Sequence, residues 1–148
     1  MQFLYPHSPQ LQIEARNARN DKARPPAWLG LLAASLLLLA LIVPWTDLQN
    51  HGHWPRVRWV PFISRPESIV DMAGNLLLAV PIGVLAARVF RRPVLSAGIL
   101  TLTLSMTGEW TQVYSHSRYP SATDVMCNVA GALAAAALVR RSRTENRE

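Results

Sequence analysis

One cysteine, Cys127, stands in the 148 residues, so no internal disulfide can staple the chain and its redox compartment leaves no mark. A lone thiol of this kind reads as a small apolar packing residue. Charge is scarce: 16% of residues are charged and 7% aromatic, against 50% hydrophobic. Acids are the scarcer sign, 9 against 15 Lys and Arg, for a net +6. That surplus is gathered in a few short stretches and gives no argument for nucleic acid. His51-x-His53 and Ser115-His116-Ser117 lack the ligand count and spacing of a zinc site, and no Ser-His-Asp order stands out. They read as solvated loop histidines.

What the chain has is apolar runs. They show neither helical nor strand periodicity but fall into four blocks, which argues for an all-α membrane protein rather than a soluble core. The spans read as about 27–45, 71–87, 93–113 and 124–139. The first has no charge and can cross a hydrocarbon core of ~30 Å at ~1.5 Å per residue. No A-x-A-like cleavage site follows it, which argues against a signal peptide. Pro25-Pro26 marks its start, and Pro81, inside the second, should bend that helix. Residues 1–26 read as a disordered polar and basic segment, 46–70 as an irregular, partly interfacial outer loop, and 140–148 as a basic tail that frays. By size the chain is one domain, 27–139.

Basic residues alternate strictly along the chain. Eleven (Arg16, Arg19, Lys22, Arg24; Arg88, Arg91, Arg92; Arg140, Arg141, Arg143, Arg147) flank one side of the blocks, and four (Arg56, Arg58, Arg65, Arg118) the other. The positive-inside rule then predicts four transmembrane helices with both termini cytoplasmic. Trp28 at one end, and Trp45, Trp54, Trp59, Trp110, Tyr114 and Tyr119 at the other, fit interfacial belts.

Polar residues inside such blocks are expensive and mark functional sites. Arg65-x-x-Ser68-x-x-Asp71-x-x-x-Asn75 recurs 53 residues later as Arg118-x-x-Ser121-x-x-Asp124-x-x-x-Asn128, each time at the mouth of an apolar run. Glu109 and Gln112 close the third run. At ~1.5 Å per residue, Asp71, Glu109 and Asp124 all lie roughly 23–24 Å from the cytoplasmic helix ends, so the three clusters should converge on the outer side. The repeat points to a pseudo-twofold relation between two helical hairpins. Ser68 and Ser121 also read as N-caps with an acid at N3, and Asn75 and Asn128 as interhelical hydrogen-bond glue. Glu109 is the acid these structural roles do not explain, since a carboxylate near a helix C-terminus opposes the dipole. An Arg partner or a ligand is expected for it. Gly131, among alanines, is expected to serve close helix packing.

At these residues the sequence resembles the VanZ-like family of small bacterial membrane proteins. The resemblance rests on Asp71, Asn75, Pro81 and Gly83, then Glu109 and Gln112, then Arg118, Asp124, Asn128 and Gly131. It covers roughly residues 71–138 and departs from the pattern at Ala79-Val80, where a Phe often precedes the proline, and at Ser121, where an acid is often seen. It implies a four-helix, multi-pass protein of the bacterial inner membrane. The family's namesake is linked to reduced susceptibility to teicoplanin-type lipoglycopeptides.

Two functions of different class follow. In one, a pocket lined by Arg65, Asp71, Asn75, Glu109, Gln112, Arg118, Asp124 and Asn128 binds an amphiphilic envelope molecule: a lipid, a lipid-linked cell-wall precursor or a lipoglycopeptide. Arg65 and Arg118 would take its phosphate or carboxylate. In the other, Asp71, Glu109 and Asp124 act on such a molecule as an enzyme, with or without a shared divalent cation. No catalytic signature selects the second, and no cofactor is expected. A transporter is disfavoured because the inner halves of the spans read as free of polar groups. Whether the chain forms a homo-oligomer stays open.

Overall fold

A computed structural model of the chain describes Gln10 and residues 26–62 and 68–146. The described residues are helical, with no strand; two isolated bridges, Leu48 to Ser115 and Arg58 to Ser121, join loops. Helix α1 is Ala27–Ile42. A 3-10 turn at Trp54–Arg56 lies in the long connection that follows. Then come α2 (Ile69–Leu78), α3 (Val80–Val89), α4 (Pro93–Gln112) and α5 (Ala122–Glu145).

Local chemistry sets these limits. Pro26 is the N-cap of α1. Pro44 ends it three residues short of the expected Trp45, because the residue before a proline is pushed out of the α region; Val43 has ψ 128. The expected bend at Pro81 is a break: Ala79 (φ −88, ψ −11) separates α2 from α3. Proline offers no N–H to the Leu77 carbonyl, which accepts from the Ala79 amide instead, and the Ala79 carbonyl opens α3 by accepting from Ile82 at 3.1 Å and Gly83 at 3.3 Å. The basic tail does not fray as expected. Helix α5 runs on to Glu145, held by an Arg141–Glu145 pair at 2.8 Å and by Arg143 Nη1, which donates to the Ala87 carbonyl at 2.6 Å.

Helix α5 is the central rod, packed on α2, α3 and α4, while α1 lies against α3 and α4. Small residues allow this. Ala79, Ala86, Ala97, Ala132 and Ala136 form one core cluster. Gly83 leaves no room for a Cβ against the Ala132 carbonyl, nor Gly131 against the Leu76 carbonyl. Leu31, Leu38, Ile42 and Ile82 form the second cluster, between α1 and α3. Large apolar side chains such as Leu36, Leu37, Ile99 and Leu138 face outward. Two helical stretches are long and apolar enough to cross a membrane: Ile69–Val89 taken through the break, mean hydropathy 1.9, and Ala122–Glu145, mean hydropathy 1.6.

The connection after α1 is irregular, as expected, but it is fixed to the turn between α4 and α5. Gln49 and His53 donate to the carbonyls of Tyr114 and Val113 at 2.7 and 2.8 Å. Arg58 N–H donates to Pro120, and its carbonyl accepts from Ala122 at 3.0 Å. Asp47 Oδ2 accepts from Ser115 Oγ at 2.8 Å and from the Ser117 amide at 2.7 Å.

Candidate functional site

Antiparallel packing of α4 on α5 brings the C-terminal turn of one beside the first turn of the other. Four amides at a helix start lack intrahelical partners and carry partial positive charge. Ser121 Oγ accepts from Thr123 N–H at 3.2 Å, and Ser68 Oγ from Val70 N–H at 3.1 Å, so both serines are the expected caps. Glu109 supplies what serine alone does not. Its Oε2 accepts from the Ser121 amide at 2.6 Å, in a buried setting. To the Arg partner or ligand expected for Glu109 the fold adds a backbone partner: across the helix reversal the carboxylate meets the favourable end of the next dipole.

Beside this junction lies a cavity of about 430 Å3. Asp71, Asn75, Glu109, Gln112, Arg118, Asp124 and Asn128 all line it. These are the seven described members of the set read from the sequence; the eighth, Arg65, lies outside the described residues. Leu41, Ile42 and Leu78 give the cavity an apolar side. Gln112 Nε2 donates to the Ile42 carbonyl at 3.2 Å, which holds the end of α1 in the wall.

The two copies of the motif are not equivalent. Asp71 is exposed and Asn75 half-buried on α2, at the edge of the bundle. On central α5, Asp124 is half-buried and Asn128 only 2% exposed. Asn128 Oδ1 has no hydrogen-bond partner among the described residues. The glue role expected for Asn128 is thus not met there.

Two more buried atoms share that condition. Thr101 Oγ1 and Ser105 Oγ of α4 have no partner among the described residues, whereas Thr103 and Thr107 donate to their own helix. The contacts of Glu109 with Ser121 and of Gly98 with Leu133 fix the register of α4 on α5. In that register Asn128 stands level with the turn between Thr101 and Ser105. Polar atoms therefore continue below the cavity into the mid-bundle, where the sequence reading saw none. Hydroxyls among apolar residues commonly satisfy themselves within a helix; burial without such a bond sets these two apart.

Arg118 is exposed and makes no ion pair among the described residues; its amide donates to Ser115 Oγ at 3.1 Å. A contact between Arg118 and a carboxylate is therefore not made among the described residues; the loop holds Arg118 by its backbone and its guanidinium stands at the rim. Nor do Asp71, Glu109 and Asp124 come together as a metal-capable group among the described residues. The shared-cation arrangement has no geometric support, since the Glu109 carboxylate is turned to an amide.

Arg58 and Tyr119 also line the cavity and were missed as site residues. Arg58 and Arg56 lie 5.4 and 5.6 Å from the Tyr119 ring centroid, within cation–π range. Their only sequence signal was a basic count in the outer loop. Three loop histidines gather at this end, with His51 and His116 exposed as expected: His53 lies edge-on to His51 at 4.7 Å and to His116 at 5.4 Å. Its Nε2 is shut off from solvent, and that desolvation, then Arg56 and the other two rings, holds its pKa below the usual histidine value. Hydrogen bonds from Ser117 and Ser115 lower the pKa of Asp47 to about 2.

No curated protein and no solved structure matches the chain. The VanZ/LLP1 family model does, over residues 27–143, from the start of α1 nearly to the end of α5. With the whole bundle and every described residue of the cavity inside that match, the chain belongs to the VanZ/LLP1 family.

Proposed function

We propose that the protein crosses the bacterial inner membrane four times, with both termini cytoplasmic, and binds an amphiphilic envelope molecule in the cavity at its outer end. The α2–α3 pair forms the second span. The ligand class is a lipid, a lipid-linked cell-wall precursor or a lipoglycopeptide. Such molecules place a polar head at headgroup depth and a tail among apolar side chains, and the cavity offers both surfaces.

The observation that carries this reading is Asn128. A side-chain amide buried in a cavity wall with an unused acceptor costs roughly 1–3 kcal/mol relative to one that is hydrogen-bonded. A hydroxyl or amide from a bound head group offsets that cost. Arg58 and Arg118 bring positive charge to the same wall, matched to a phosphate or carboxylate, and Asp71 and Asp124 can accept from hydroxyls.

The test is a comparison in a susceptible host. Arg118→Gln and Asp71→Asn change exposed rim residues, so the protein should accumulate in the membrane at its normal level. Lipoglycopeptide tolerance, and the amphiphiles that co-purify with the protein, should both fall. Full tolerance and an unchanged lipid profile in both variants would sink the binding reading. A reporter fused after Arg92 should read cytoplasmic and one near Trp54 external; the reverse would turn the cavity inward.

A further inference from the structure

A second cavity, of about 710 Å3, opens between α4 and α5 at the opposite end of the bundle. Ile99 and Leu102 of α4 and Leu133 of α5 are among its walls, and Arg91, Arg92 and Arg140 ring its mouth. Other arginines nearby are engaged: Arg141 with Glu145, and Arg143 with the Ala87 carbonyl. The three at the mouth are exposed and make no ion pair among the described residues. Like charges gathered at one rim repel, and an anion between them relieves that repulsion.

The depth of the groove is informative. Leu102 stands ten residues beyond Arg92 on α4, or about 15 Å along the axis. That is half of a ~30 Å hydrocarbon core, the reach of one leaflet. Gly98 shapes the floor: a Cβ there would come within 3.0 Å of Leu133 Cδ2, so its absence lets that side chain lie back against α4. The outer cavity is lined by charges of both signs, whereas this one carries positive charge alone above an apolar wall.

We infer that the α4–α5 groove binds an anionic glycerophospholipid, its phosphate among Arg91, Arg92 and Arg140 and an acyl chain along Ile99, Leu102 and Leu133. Basic pockets between helices at the cytoplasmic face hold anionic lipid heads in this way. The inference rests on the membrane seating proposed above, but not on the outer cavity having a ligand.

Purified full-length protein in a neutral detergent provides the test. Native mass spectrometry is run with added dioleoyl-phosphatidylglycerol or dioleoyl-phosphatidylcholine. The wild type should bind the anionic lipid at least tenfold more tightly. The triple change Arg91→Gln, Arg92→Gln, Arg140→Gln should erase that preference. Arg141→Gln, which removes a neighbouring charge outside the groove, should keep it. Ile99→Trp, at a position exposed on the wall, should reduce binding without changing charge. Equal binding of the two lipids by the wild type overturns the inference whatever the variants do, as does a preference that survives both the triple change and Ile99→Trp. Asp71→Asn, in the outer cavity, should leave the preference intact; loss of it there would mean that the lipid sits in the outer cavity instead.

Discussion

Asn128 and Glu109 separate what a residue does for a ligand from what it does for the fold. Asn128 is buried with an unused acceptor, so an apolar residue of similar size removes an unmet polar group and should not destabilise. Asn128→Leu is expected to match or exceed the wild type in thermal stability while losing envelope function. A variant that is stable and fully active would show that the amide serves no ligand. Glu109 carries the opposite expectation. Its carboxylate holds the amide of Ser121, the N-cap of α5, and charge-assisted bonds of this kind contribute about 1.5–3 kcal/mol. Glu109→Gln keeps an acceptor and should lower stability by about 1 kcal/mol, with Glu109→Ala costing more; thermal unfolding in detergent reads both. Seven of the residues that line the cavity were legible in the sequence because charged and amide groups at the ends of apolar runs need a reason to be there, whereas Arg58 and Tyr119, in loops, were not. The contact of Glu109 with Ser121 was not legible either, since it is made to a backbone amide, and only the chain reversal between α4 and α5 brings it near.

Among the elements, glycine spacing decides how close the helices come. A methyl at Gly131 meets the Leu76 carbonyl on α2, and backbone does not yield as a side-chain end does. Gly131→Ala should cost about 1–3 kcal/mol by forcing the helices apart. At Gly74, on the exposed face of α2, a methyl would meet nothing within 4 Å. Gly74→Ala should stabilise by roughly 0.5–1 kcal/mol, as expected inside an exposed helix. Comparing the two melting temperatures checks the packing; equal effects would refute it. The positions of the helices could be read from the apolar runs, and the disturbance at Pro81 from its missing N–H. The break at Ala79 and the continuation of α5 to Glu145 could not. The place of the break is set by local hydrogen bonds around Ala79 that an apolar count does not carry, and the continuation of α5 by a contact between distant residues, Arg143 with Ala87. The same holds for the long connection after α1, whose sequence is irregular but whose amides pair with the α4–α5 turn.

At the scale of the molecule, the outer-end assembly is expected to weaken in acid, through two groups acting in the same direction. The lowered pKa of His53 favours its neutral form in the fold, so stability falls as the pH drops below the ordinary histidine value of about 6.5. The pKa of Asp47 is lowered to about 2, so its contribution is complete above the usual carboxylate value near 4 and is lost as the pH falls towards 2. Melting temperature measured between pH 7 and pH 2 should decline in both windows. Asp47→Asn should flatten the lower one, and an unchanged slope there would remove Asp47 from the account. This linkage was hidden in the sequence because Asp47 and Ser117 lie 70 positions apart.

The helices also differ in reach. Helix α1, at 16 residues, rises about 24 Å, while α5, at 24 residues, rises about 36 Å. In the four-span arrangement proposed above, the bilayer meets a rod shorter than its ~30 Å core on one side and a longer one at the centre. Such mismatch is relieved by tilting the long helix and thinning the lipid around the short one. Leu41 and Ile42, which end α1, line the outer cavity. In that arrangement the thinned patch would lie at the rim of the cavity, and lipid heads would sink there towards Gln112 and Asn128. Under that seating membrane thickness would be a variable of the site itself, and a thicker bilayer would close the approach that the short helix leaves open.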